Sequence, residues 1–120
     1  MKAVHWIGST REDLRDFPTE VRRDSGFALR TAQNDAKHPS AKPLQDFGGA
    51  SVLEIVEHHD GDTYRAVYTV RFAEAIYVLH AFKKESKRGI KTPKKGLNLI
   101  EVRLKKAQED YAQWLKEGKP

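Results

Sequence analysis

Apolar positions recur at helical spacing in some parts of the chain and alternate or cluster, as in strands, in others. Residues 2–7 read as a short strand. Ser9 then stands where an N-cap would, and Glu12 three residues later predicts a capping box opening a helix over Thr10–Asp16. Pro18 suits the first turn of a second helix, with Asp16 or Phe17 near its cap. Val21, Ala28, Leu29, Ala32 and Ala36 give this helix a weak apolar face, and Arg22, Arg23 and Arg30 mark its solvent side. Gly26 costs it about 1 kcal/mol relative to alanine.

Lys37–Ser51 is rich in proline, glycine and serine and reads as a loop, with Leu44 and Phe47 turned inward. Three runs dominated by Val, Ile, Tyr and Phe follow: Val52–His59, Thr63–Phe72 and Ala75–Lys83. His59-Asp60-Gly61-Asp62 supplies a hairpin turn, and Ala73-Glu74 a second tight connection. Tight connections make antiparallel neighbours, so the runs predict a three-stranded meander joined at one edge by the first strand. In the last segment Thr92 caps a helix and Pro93 begins it. Leu97, Ile100, Leu104, Ala107, Tyr111 and Trp114 form an apolar stripe suited to packing on the sheet. Lys94, Lys95, Arg103, Lys105 and Lys106 fall mostly off it. The pattern as a whole predicts an α+β fold in one domain over residues 1–120.

Charge adds a direction. The chain has 120 residues and a net charge of +5. Residues 1–60 carry 8 basic and 10 acidic side chains, whereas residues 61–120 carry 14 and 7. Between Lys83 and Lys95 seven cations (Lys83, Lys84, Lys87, Arg88, Lys91, Lys94 and Lys95) stand against one acid, Glu85. Such a block at the end of a strand suits phosphates and points to RNA. There is no cysteine, which excludes disulfides and thiolate metal sites. No apolar signal core and no run of about 20 apolar residues is present, so the sequence reads as cytoplasmic and not membrane-bound.

The middle strand holds the first candidate for chemistry. Arg65, Val67, Thr69 and Arg71 share one face; Tyr64, Ala66, Tyr68, Val70 and Phe72 share the other, which is the better core. Arg65 is then expected to project from an open face. In the next strand Ile76, Val78, His80, Phe82 and Lys84 alternate with Tyr77, Leu79, Ala81 and Lys83. If the set with His80 shares the face of Arg65, a guanidinium, an imidazole, an aromatic ring and an ammonium converge on a patch suited to a nucleotide. The alternative places His80 and Phe82 in the core and pairs Arg65 with a carboxylate such as Glu54. His58-His59 points to opposite faces of a strand and makes a poor metal site. No phosphate-binding GxxxxGK[ST] loop, GxSxG elbow or dinucleotide fingerprint occurs, and Gly48-Gly49 reads as turn punctuation.

The succession KPL-x-x-FGG, VLEI, YRAVYTV and YVLHAFKKESKRGIKTPKK, closed by an amphipathic helix, resembles the phage-associated, HigB-like branch of the RelE/ParE toxin superfamily. The most specific parts are Tyr64-Arg65 and the stretch from Leu79 to Pro93. The resemblance implies N-terminal helices packed on one side of a small twisted antiparallel sheet, a C-terminal helix, and a basic concave face left open. It also implies the toxin of a type II toxin–antitoxin module, held inactive by a cognate helix-turn-helix antitoxin and touching operator DNA only through it. The free toxin would enter the ribosome and cleave mRNA without a metal or other cofactor.

On this resemblance Arg65 would stabilise the phosphorane, while His80 and Lys84 would serve as acid and base, with Lys83 and Lys87 in reserve. Phe82 would stack a base or simply shape the pocket, and Arg88, Lys91, Lys94 and Lys95 would hold RNA. Relatives often place a catalytic tyrosine or acid near the end of the chain; here Tyr111 falls on the apolar stripe. Some superfamily members inhibit DNA gyrase instead, and a passive nucleic-acid-binding module is a third reading.

Overall fold

The computed structural model describes residues 1–45, 47, 49, 51–85 and 94–118. Among these the chain forms β1 (Ala3–Trp6), α1 (Thr10–Arg15), α2 (Thr19–Gln33), β2 (Ala41–Pro43), β3 (Val52–His59), β4 (Asp62–Thr69), β5 (Ala75–Glu85) and α3 (Lys94–Lys116). The strands make one mixed sheet in the order β1-β5-β4-β3-β2. The expected meander is β3-β4-β5, antiparallel throughout. Its first turn places Asp60 and Gly61 at φ of 50° and 86°, the paired positive values of a two-residue hairpin loop. β1 joins the edge beside β5 and runs parallel to it, from Ala3 opposite Ala75 to Trp6 opposite Val78.

Two local expectations need correction. Ser9 does cap α1, but its hydroxyl makes no capping bond and donates instead to Asp13 Oδ2 at 2.7 Å. The loop at 37–51 contains β2, which pairs antiparallel with β3, Pro43 opposite Leu53. A three-residue strand is too short to show alternation, and a proline is tolerated there because the strand lies at the sheet edge. α2 begins one residue after Pro18 and buries Val21, Ala28, Leu29 and Ala32 as its spacing requires; Ala36 lies beyond its end and is exposed.

Both faces of the sheet are covered. On one, Leu14, Phe17, Val21 and Leu29 of the N-terminal segment pack on Ile55, Tyr64, Ala66, Tyr68, Ile76 and Val78. On the other, Ile100, Leu104 and Ala107 of α3 pack on Val67, Tyr77 and Leu79, with Leu97, Tyr111 and Trp114 at the margins. The stripe of the last helix therefore packs on the sheet as its spacing predicts. It covers the face that the sequence left open.

Tyr77 ties the second layer together. Its hydroxyl donates to Asp110 Oδ2 of α3 at 2.7 Å and lies 2.8 Å from His5 Nδ1 of β1. Trp114 meets the His5 ring edge-on at 4.7 Å. Tyr111 accepts the Glu74 backbone N–H at 3.1 Å and stacks on Phe72, which makes it a packing residue. No helix among the described residues is long and apolar enough to cross a membrane.

Candidate functional site

The β4–β5 register decides which side chains meet. Arg65 stands opposite Phe82, Val67 opposite His80 and Thr63 opposite Lys84. Directly paired residues share a face, so Arg65, His80, Phe82 and Lys84 lie on one side of the sheet. The pairing then slips: Tyr68 faces Val78, leaving Leu79 as an extra residue. This bulge reverses the alternation within β5. Ile76 and Val78 turn to the N-terminal helices, whereas Tyr77, Leu79 and His80 turn to α3. The expected set of Ile76, Val78, His80, Phe82 and Lys84 is thus split between two faces, with His80, Phe82 and Lys84 kept together on that of Arg65.

Arg65 does not project into solvent. It is 2% exposed, and its Nη1 donates to Glu54 Oε2 at 3.1 Å. Glu54 faces Val67 in the β3–β4 register, so the pair is a diagonal cross-strand contact on the face beneath α3. Both readings left open by the sequence hold in part: Arg65 pairs with Glu54, and it shares a face with His80, Phe82 and Lys84.

β1 accompanies β5 only as far as Val78. Beyond that point the sheet edge passes to α1. Here the rings of His80 and Phe82 stack, with centroids 4.4 Å apart and planes 21° from parallel. His80 is half-buried, and its buried Nδ1 finds no hydrogen-bond partner among the described residues. Loss of hydration pushes its imidazolium down to about 4, aided by the positive charge of Arg103 and opposed by Asp13. His80 is therefore neutral throughout the physiological range.

Arg103 is the residue that sequence reasoning passed over. Its Nη1 donates to the Leu79 carbonyl at 2.9 Å, and its guanidinium lies against Gly8. Its position carried a signal: it follows Ile100 by three residues and precedes Ala107 by four, which sets it on the flank of the buried stripe. The contacts Arg103–Leu79 and Asp110–Tyr77 show α3 running antiparallel to β5. Its first residues, with exposed Lys94 and Lys95, point toward the Lys84 end of the strand.

A groove of about 590 Å³ lies at this edge, between α1 and β5. It is lined by His80 to Lys83 of β5, by Phe17, Pro18 and Tyr64, and by Asp13 of α1 with Asp16 at the C-cap of that helix. Lys83, on the face of the N-terminal helices, pairs with Asp62 at 3.3 Å. Lys84 is half-buried on the Arg65 face. Lys87, Arg88 and Lys91, together with the Thr92-Pro93 helix start, lie outside the described residues.

A family model described as phage derived protein Gp49-like (DUF891) matches residues 12–105, from α1 into α3. Neither the curated proteins nor the solved structures gave a match.

Proposed function

The chain belongs to the Gp49-like family of phage-derived proteins, and from that premise we propose that it is the toxin of a type II toxin–antitoxin pair, of HigB-like type. Family membership is compatible with a toxin role and with an antitoxin partner. Our reading of the activity is a metal-independent endoribonuclease that cuts mRNA on the ribosome. The observation that carries it is the stacked His80–Phe82 pair at the edge of β5, on the same face as Lys84 and Arg65.

In this reading the ribose 2′-hydroxyl attacks the adjacent phosphate. Its O–P bond forms as the bond to the 5′-oxygen breaks, leaving a cyclic phosphate and a free 5′-hydroxyl. His80, a neutral imidazole in the free chain, accepts the 2′ proton and returns it to the leaving oxygen; an anionic phosphate bound beside it would raise its value from about 4 toward the range that acid–base work needs. The Lys84 ammonium offsets charge building on the phosphorane. Phe82 stacks a base, and Lys94 and Lys95 approach the RNA backbone. Arg65 acts from beneath: paired with Glu54, it fixes the strand that presents Phe82 and reaches a phosphate only if that pair opens. The antitoxin would be a helix-turn-helix protein.

The test is induction of the chain in growing cells, with translated messages mapped for new 5′-hydroxyl ends. Cuts that require translation, and that vanish in H80A and K84A, support the reading. Burial of Arg65 favours one competitor, a non-cleaving gyrase inhibitor of the same fold. A DNA-damage response with intact messages would establish that instead.

A further inference from the structure

We infer that the groove between α1 and the edge of β5 is a base-selecting subsite that takes guanine, with Asp13 and Asp16 as the specificity-determining residues. The inference rests on the endoribonuclease reading and adds what that site would select. The groove joins three features that no single element supplies. One wall carries the stacked His80 and Phe82 rings, a platform for a flat heterocycle. Its lining also includes Phe17 and Tyr64, packed edge to face with centroids 5.1 Å apart. Its lining further includes two carboxylates, Asp13 and Asp16, within a strongly basic protein.

Those carboxylates decide what enters. They repel phosphate, so an RNA strand crossing this edge turns its backbone toward Lys84 and offers a base to the groove. Of the four RNA bases only guanine sets two donors side by side on its pairing edge, N1–H and the 2-amino group. A carboxylate presents two parallel acceptors that match them. Adenine and cytosine place a ring acceptor beside their amino group, and uracil flanks its single donor with two carbonyls, so each would point a lone pair at an oxyanion. Asp13 is already oriented: Ser9 Oγ donates to its Oδ2 at 2.7 Å, which leaves lone pairs on both oxygens for a ligand. The positive effect of Asp13 on the His80 imidazolium places it within electrostatic reach of the proposed acid–base residue.

The purified chain is titrated with the four nucleoside monophosphates, which share one phosphate, and backbone amide shifts are followed by NMR. Selection of GMP over AMP, CMP and UMP by about tenfold or more is expected, with shifts centred on residues 13–17 and 80–83. D13N and D16N keep the side-chain shape but replace one acceptor oxygen with a donor. They should erase the GMP preference while AMP binding changes little, a ratio that a purely structural role would not move. Equal affinity for all four nucleotides, no binding, or an unchanged preference in both variants overturns the assignment. GMP selection by a chain that cuts no message would sink the nuclease reading and leave the subsite standing. Cutting that shows no base preference does the reverse.

Discussion

Arg65 and Glu54 form an ion pair inside the protein, Nη1 to Oε2 at 3.1 Å, with both side chains almost wholly withdrawn from water. Two charges in such a place are tolerated only together, because removing one leaves the other uncompensated. Arg65→Ala and Glu54→Ala should each cost about 3–5 kcal/mol, and a drop of on the order of 10 °C in Tm should appear by calorimetry. The double replacement Glu54→Gln with Arg65→Met should recover most of that loss. Loss of activity in R65A therefore indicates catalysis only when measured alongside folding.

His80 supplies a pH dependence. Its folded value near 4 lies below the ordinary 6.5, so between these values the unfolded chain binds a proton that the folded one does not. Stability from this group is fully present above about 6.5 and is lost as pH falls toward 4. Denaturation midpoints across that window should slope for the wild type and flatten for H80F. An identical slope in both would assign the effect to another group.

Gly8 sits at φ +61°, and a β-carbon there would stand 2.8 Å from Arg103 Nη2. Gly8→Ala should therefore cost roughly 1–2 kcal/mol in backbone strain and push the guanidinium away from His80. With that positive charge moved off, the His80 titration should rise above 4. Arg103→Gln should raise it too, without the strain. Imidazole NMR titrations of the two variants check both statements, and an unmoved midpoint would remove Arg103 from the site.

Tyr77 holds α3 to the sheet through Asp110 and β1 through His5. Burial, and secondarily the Asp110 carboxylate, drive its phenol far above the usual tyrosine range. Tyr77→Phe should cost about 1–3 kcal/mol by leaving partly buried partners unsatisfied. In the wild type two tyrosines, Tyr77 and also Tyr68, whose phenol burial pushes up to about 12, should resist ionisation in an ultraviolet titration, and Tyr77→Phe should leave one.

Much of this architecture was legible in the order of residues. The turn at Asp60-Gly61, the three strand runs and the stripe from Leu97 to Trp114 are local patterns, and local patterns are what backbone geometry and periodicity encode. β2 was missed because three residues around a proline carry no period, and the Ser9–Glu12 box because a nearer acceptor, Asp13, competes for the hydroxyl. Spacing put His80, Phe82 and Lys84 in one set but left open whether that set shares the face of Arg65, which the β4–β5 register decides. The burial of Arg65 did not follow from spacing, because a strand's alternation says which residues share a face and not how deeply that face is covered. Asp13 and Asp16 read as ordinary charges along the chain, and only the fold brings them to one groove with His80 and Phe82.

The sequence by itself determined most of the elements, their apolar faces and the basic second half. Each depends on neighbours a few residues apart along the chain. Tertiary structure alone decided that Leu79 bulges and splits β5 between two cores, that Arg65 is buried against Glu54, and that the edge left by β1 becomes a groove against α1. Those outcomes depend on strand register and on which surfaces bury one another, relationships between residues tens of positions apart that no local spacing records.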